Sequence, residues 1–132
     1  MKLQITTMLT LSKKYKIDWN KPAAMMLGRW QPWHDGHQAL FEEALTRTGQ
    51  VIVMVRHMPH SENNPFDFKK VRKRIETALQ KYEGRFEIIQ VPNITNIVYG
   101  RDVGYKVEKI SLDKQIEAIS ATKIRQEMKD EI

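Results

Sequence analysis

Five consecutive apolar residues, Val51-Ile52-Val53-Met54-Val55, three of them Val and one Ile, constrain the fold more than any other stretch. Such a run reads as a strand covered on both faces, the central strand of a parallel sheet. Its surroundings fit that reading. Ala23-Ala24-Met25-Met26-Leu27 is a second apolar run that stops at Gly28. Leu40, Phe41, Ala44 and Leu45 recur on one helical face and predict a helix from about Gly36 to Arg47, closed by Gly49. Beyond a polar loop from Arg56 to Pro65, Phe68, Val71, Ile75, Leu79 and Tyr82 predict another helix, stopped by Gly84. Phe86 to Val91, Asn96 to Tyr99 and Tyr105 to Ile110 read as three more strands, and Ile124, Met128 and Ile132 as a last helix. The expected fold is α/β: a Rossmann-like parallel sheet of about five strands, with helices on both faces and ligand beyond the carboxyl ends of the strands.

A chain of 132 residues suits one such domain, assigned to residues 23–132, with residues 1–22 as an N-terminal arm broken off at Asn20-Lys21-Pro22. The absence of cysteine removes disulfides, thiolate chemistry and Cys-ligated zinc, and fits a cytoplasmic protein. No apolar run approaches the roughly 20 residues of a membrane helix. Lys and Arg outnumber Asp and Glu by 22 to 16, a net charge of +6 that suits a phosphate-rich ligand.

Two segments carry the chemistry. His34-Asp35-Gly36-His37 sits between the first apolar run and the first helix, behind Gly28, Arg29 and Trp30. Histidines three apart meet on one face of a turn, Gly36 lets phosphate oxygens approach the backbone, and the amides of a helix start favour negative charge. Ser120-Ala121-Thr122-Lys123-Ile124-Arg125 opens the last helix, with two hydroxyls and two cations suited to the β- and γ-phosphates. Either segment alone reads as readily as ordinary loop residues or an ordinary helix cap. Two anion grips at opposite ends of one α/β domain point to a nucleotide.

With these residues the chain resembles the nucleotidyltransferase superfamily marked by a His-x-Gly-His signature and a later Ile-Ser-x-Thr-x-Ile-Arg signature, over residues 23–130. Gly28 to His37 and Asn64-Pro65-Phe66 are similar to archaeal-type nicotinamide mononucleotide adenylyltransferases, and Ile119 to Ile124 to glycerol-phosphate cytidylyltransferases. Tyr99 to Tyr105 most resembles the cytidylyltransferase-like domains found beside adenylylsulfate kinases, although the kinase's own phosphate loop is missing here. The resemblance implies transfer of a nucleoside monophosphate, CMP favoured over AMP, from a nucleoside triphosphate to a small phosphate or phosphonate acceptor, with Mg2+ and release of pyrophosphate. It implies His34, His37 and Arg125 at the reaction centre. Gly28, Arg29, Trp30, Gly36, Ser120, Thr122 and Lys123 would hold the nucleotide, with the base at Gly100, Arg101 and Asp102.

In place of the Thr-Ala-Gly-Glu-Arg run of the archaeal adenylyltransferases stands Asp67 to Arg74, rich in cations. This departure weakens nicotinamide mononucleotide as acceptor and leaves Asn64 and Arg72 as acceptor candidates, although a cationic run on a helix commonly just faces water. A non-catalytic nucleotide- or RNA-binding module is the alternative outside enzymes. Against it, the aromatic residues are scattered rather than arrayed, so no specific nucleic acid partner is expected. A homo-oligomer stays open.

Overall fold

The structure, a computed structural model, describes residues 16–101 and 104–129. Its elements are β1 (Ala24–Gly28), α1 (Asp35–Thr48), β2 (Val51–Arg56), α2 (Phe68–Ala78) with a 3-10 turn over Gln80–Tyr82, β3 (Phe86–Val91), α3 (Lys114–Glu117) and α4 (Ala121–Glu127). The strands are parallel in the order β1-β2-β3, with Val51 beside Ala24 and Phe86, and Val55 beside Gly28 and Gln90. The apolar run Val51–Val55 is indeed the central strand.

Two successive steps in one direction, each through a right-handed crossover, put α1 and α2 on the same face. Their packing agrees: Gln38 Nε2 donates to the Ala78 carbonyl at 3.2 Å, and the Phe41 and Tyr82 rings lie 5.5 Å apart. The expectation of helices on both faces is thus corrected for the two crossover helices. Burial follows. Val51, Val53 and Val55 are buried beneath the helices, Ile52 and Met54 on the other face are half-buried, and Met25 beside Ile52 is 50% exposed. The core under the helices centres on Phe41, Ile75, Leu79 and Phe86, each side chain of this size contributing about 2–3 kcal/mol on burial.

The helix ends follow local chemistry. Gly49 closes α1 in the left-handed region at φ 82°, its N–H donating to the Leu45 carbonyl at 2.8 Å. Asp67 caps α2 by accepting from the Lys70 N–H at 2.9 Å. Gln50, at the foot of β2, accepts from the Asp18 N–H and donates to the Asp18 and Lys21 carbonyls, so residues 18–21 run along the amino ends of the strands.

Three strands stand among the described residues where about five were expected. Asn96 to Tyr99 and Tyr105 to Ile110 take no regular secondary structure and have no ladder partners. Val98 is 87% and Val107 68% exposed, and strand propensity is realised only against a half-buried surface, which these residues lack. The short helix α3 was not foreseen. The last helix ends at Glu127, and Ile132 lies outside the described residues, as do residues 1–15 of the arm. No helix among the described residues is long and apolar enough to cross a membrane.

Candidate functional site

The loop leaving β1 is tightly folded. A Cβ on Gly28 would stand 2.7 Å from the Trp30 indole, so only glycine fits there. Trp30 takes the left-handed region at φ 54°, a costly conformation for an aromatic residue, held by its indole N–H on the Met54 carbonyl at 3.0 Å and by packing against Trp33. Gln31 is buried. Its amide donates to the Phe66 carbonyl at 2.9 Å and accepts from the Phe66 N–H at 3.0 Å, binding the β1 loop to the loop before α2.

His34 caps α1: its Nδ1 accepts from the Gly36 N–H at 3.0 Å, while its own backbone N–H donates to His37 Nδ1 at 3.2 Å. The two rings stack with centroids 3.6 Å apart and planes 21° from parallel. Because both Nδ1 atoms accept, each neutral ring carries its proton on Nε2 and presents an N–H donor on its outer edge. Burial, with the charge of His34 adding, depresses the pKa of His37 to about 3. Burial lowers His34 as well; Asp35 opposes the shift and Arg74 reinforces it. The pair is therefore built as two neutral hydrogen-bond donors. Gly36 is required by the cap, since a Cβ there would stand 2.8 Å from the His34 ring.

At the start of α4, Ser120 Oγ accepts from the Lys123 N–H at 3.3 Å, the ordinary cap, and its own proton stays available to a ligand. Arg125 also makes bonds that its sequence position did not suggest. It is buried, donating to the Gln31 carbonyl at 2.7 Å, to Thr122 Oγ1 at 3.2 Å and to Asn63 Oδ1 at 3.5 Å. Its guanidinium holds α4 against the β1 loop.

Consequently the two anion-grip segments meet. Leu27, Gly28, Arg29, Trp30, Gln31, His37, Ala121 and Arg125 line one cleft of about 170 Å3; Ser120, Thr122 and the exposed Lys123 adjoin Ala121 in the chain and are not part of that lining. Asn64 is buried and accepts from Arg29 Nη1 at 3.4 Å, so it positions a site cation. Arg72 points away, paired with Glu76 at 2.8 Å. Gly100 and Arg101 lie exposed at a bend, and Asp102 lies outside the described residues. Sequence reasoning passed over three residues. Gln31 joins the three site segments, Arg74 donates to the Trp33 carbonyl at 2.9 Å, and Arg56 ends the central strand. Arg56 Nη2 donates to Asn93 Oδ1 at 2.7 Å, while its buried Nε has no hydrogen-bond partner among the described residues. A cation directly behind the apolar run Val51–Val55 was the available signal, since ligands of such sheets bind at the carboxyl ends.

No protein-family model matches the chain. Over 73 residues it is 30% identical to a nicotinamide-nucleotide adenylyltransferase of Methanococcus aeolicus, covering 54% of this chain and 42% of that protein. The chain is similar to an adenylyltransferase. A solved structure of a bifunctional NMN adenylyltransferase/ADP ribose pyrophosphatase from Francisella tularensis, complexed with AMP and manganese, superimposes with a TM-score of 0.50 at 26% identity. That match covers 55% of this chain and 23% of the other. A pantothenate synthetase of Flavobacterium psychrophilum is 28% identical over 86 residues, 64% of this chain and 30% of its own. The chain spans less than half the length of the curated relatives it matches. The two adenylyltransferase likenesses are consistent with the nucleotidyltransferase superfamily and its Rossmann-like sheet.

Proposed function

We propose that the chain is a nucleotidyltransferase domain that moves a nucleoside monophosphate from a nucleoside triphosphate to a small phosphate-bearing acceptor. The observation that carries this reading is the cleft itself, where the neutral imidazole of His37 and the cation of Arg29 converge with the start of α4. An oxygen of the acceptor phosphate forms a bond to the α-phosphorus, the bond from that phosphorus to the bridging oxygen breaks, and pyrophosphate leaves with the electron pair. The Nε2–H groups of His34 and His37 donate to the α-phosphate oxygens as charge builds there, a kind of contact typically worth about 3 kcal/mol per donor. Arg29, the hydroxyls of Ser120 and Thr122, and Lys123 hold the leaving pyrophosphate. Arg125 acts through Gln31, as a positioning residue.

The named adenylyltransferase relatives make ATP the first donor to test, and the motif residues Ile119 to Ile124 and Tyr99 to Tyr105 support CTP. On the acceptor side we assign Arg56, which ends β2 one residue past the Gly28–Val55 pairing, at the carboxyl edge of the sheet. Mg2+ enters with the triphosphate, whose oxygens are themselves magnesium ligands. Among the described residues no group of three or more His, Asp or Glu is clustered to cage a metal ion, so no step is assigned to it. Pyrophosphate release with ATP, CTP, GTP and UTP, magnesium and a panel of phosphate and phosphonate acceptors tests the reading. Absence of release with every pair would overturn it.

A further inference from the structure

A second and larger cavity, about 550 Å3, opens between α2 and the end of α4. Trp30, Pro32, Phe66, Val71 and Met128 give it an apolar wall, a volume and lining suited to a small organic ligand. Its rim is cationic. Lys70, Lys73 and Arg74 line it from one flank of α2, and among the described residues none of the three has a carboxylate within ion-pair distance. Arg72, on the opposite flank of the same helix, is paired with Glu76. No acidic side chain lines the cavity, so its three cations face it without a counter-charge. An apolar pocket rimmed by three unpaired cations is complementary to an anion carried on an apolar body.

We propose that this cavity binds a small organic anion, an aromatic or branched aliphatic body bearing a phosphate, phosphonate or carboxylate, as a second ligand separate from the triphosphate. The anionic group sits at Lys70, Lys73 and Arg74, and the body packs on Trp30, Phe66 and Met128. Binding there is felt at the cleft. Arg74 holds the Trp33 carbonyl next to His34, Trp30 lines both cavities, and Met128 follows the helix that carries Arg125.

Phenyl phosphate is the probe, titrated by calorimetry into the whole chain in the presence of saturating pyrophosphate, which fills the triphosphate cleft. Binding is expected to persist under pyrophosphate and to weaken at least about tenfold in Lys70→Ala/Lys73→Ala, and inorganic phosphate alone is expected to bind much more weakly. Both lysines are exposed on a helix that tolerates alanine, so the double variant keeps its fold, checked by its circular dichroism. Displacement by pyrophosphate, equal affinity for inorganic phosphate, unchanged binding in the double variant, or no binding at all would each overturn the proposal. Pyrophosphate release by the double variant, measured without phenyl phosphate, reports the reaction separately, so failure of the second site and failure of the transferase reading are told apart.

Discussion

Lowering the pH from 7 to 5 should destabilise this protein through His37 in particular. In the unfolded chain the imidazole titrates near 6.5, whereas in the folded protein burial beside His34 holds it at about 3. Between those two values the unfolded chain binds a proton that the folded protein does not, so the stability contributed by a neutral His37 is present above 6.5 and is lost as the pH falls. Each pH unit inside the window costs up to 1.36 kcal/mol, which integrates to about 2 kcal/mol between pH 7 and pH 5. Against a total stability of roughly 5–15 kcal/mol for a domain, that loss is readily measured. Urea unfolding at pH 7, 6 and 5 should be compared for the wild type and His37→Gln, whose amide oxygen still accepts from the His34 N–H. Groups other than residue 37 are common to both proteins and largely cancel in the difference. The wild type should lose about 2 kcal/mol more than the variant, at unchanged m-value. Parallel pH profiles would refute the reasoning, because they would mean that His37 titrates in the folded protein as it does in the unfolded chain.

Gly36→Ala should raise helix propensity by about 1 kcal/mol yet lower kcat/KM at least tenfold, since the new methyl meets the His34 ring; unchanged kinetics would show that the cap does not orient His34. Arg125→Lys should lower stability by about 2 kcal/mol in thermal or urea unfolding, because a lysine cannot reproduce the fork onto the Gln31 carbonyl and Thr122; an unchanged Tm would return Arg125 to direct ligand contact. Arg56→Ala should raise KM for the acceptor about tenfold and leave KM for the triphosphate unchanged, and the reverse pattern would place Arg56 on the donor side.

The periodic apolar stripes around Phe41 and Ile75 made both strand-loop-helix units legible, because one period per element is enough to decide what each buries. The same reasoning failed at Asn96 to Tyr99 and at Tyr105 to Ile110. Tyr99, Tyr105 and Val107 carry a strand's residue types, but pairing depends on a covered surface that the sequence does not display. Near the cleft, the meeting of His34, Gly36 and His37 was legible since it is local to one turn. The bonds of Gln31 and Arg125 were not, because a buried amide bound to one loop and a guanidinium bound to another are long-range facts. The cations of α2 fall between these cases: Arg72 and Arg74 read alike in sequence, and only the helix flank separates a surface ion pair from a cavity wall.

The bond from Arg125 to the Gln31 carbonyl spans 94 residues, and that from Gln31 to Phe66 spans 35. Closing loops of that length is an entropic expense met only after the intervening segments have collapsed, and contacts of high sequence separation slow folding. The β1-α1-β2 unit has no such requirement and can form early. We therefore predict that the cleft comes into being last, in the step that completes the molecule. A refolding chain should regain most of its helical signal before it regains affinity for pyrophosphate, and any lesion that frays α4 should silence the cleft while the sheet beneath it stands.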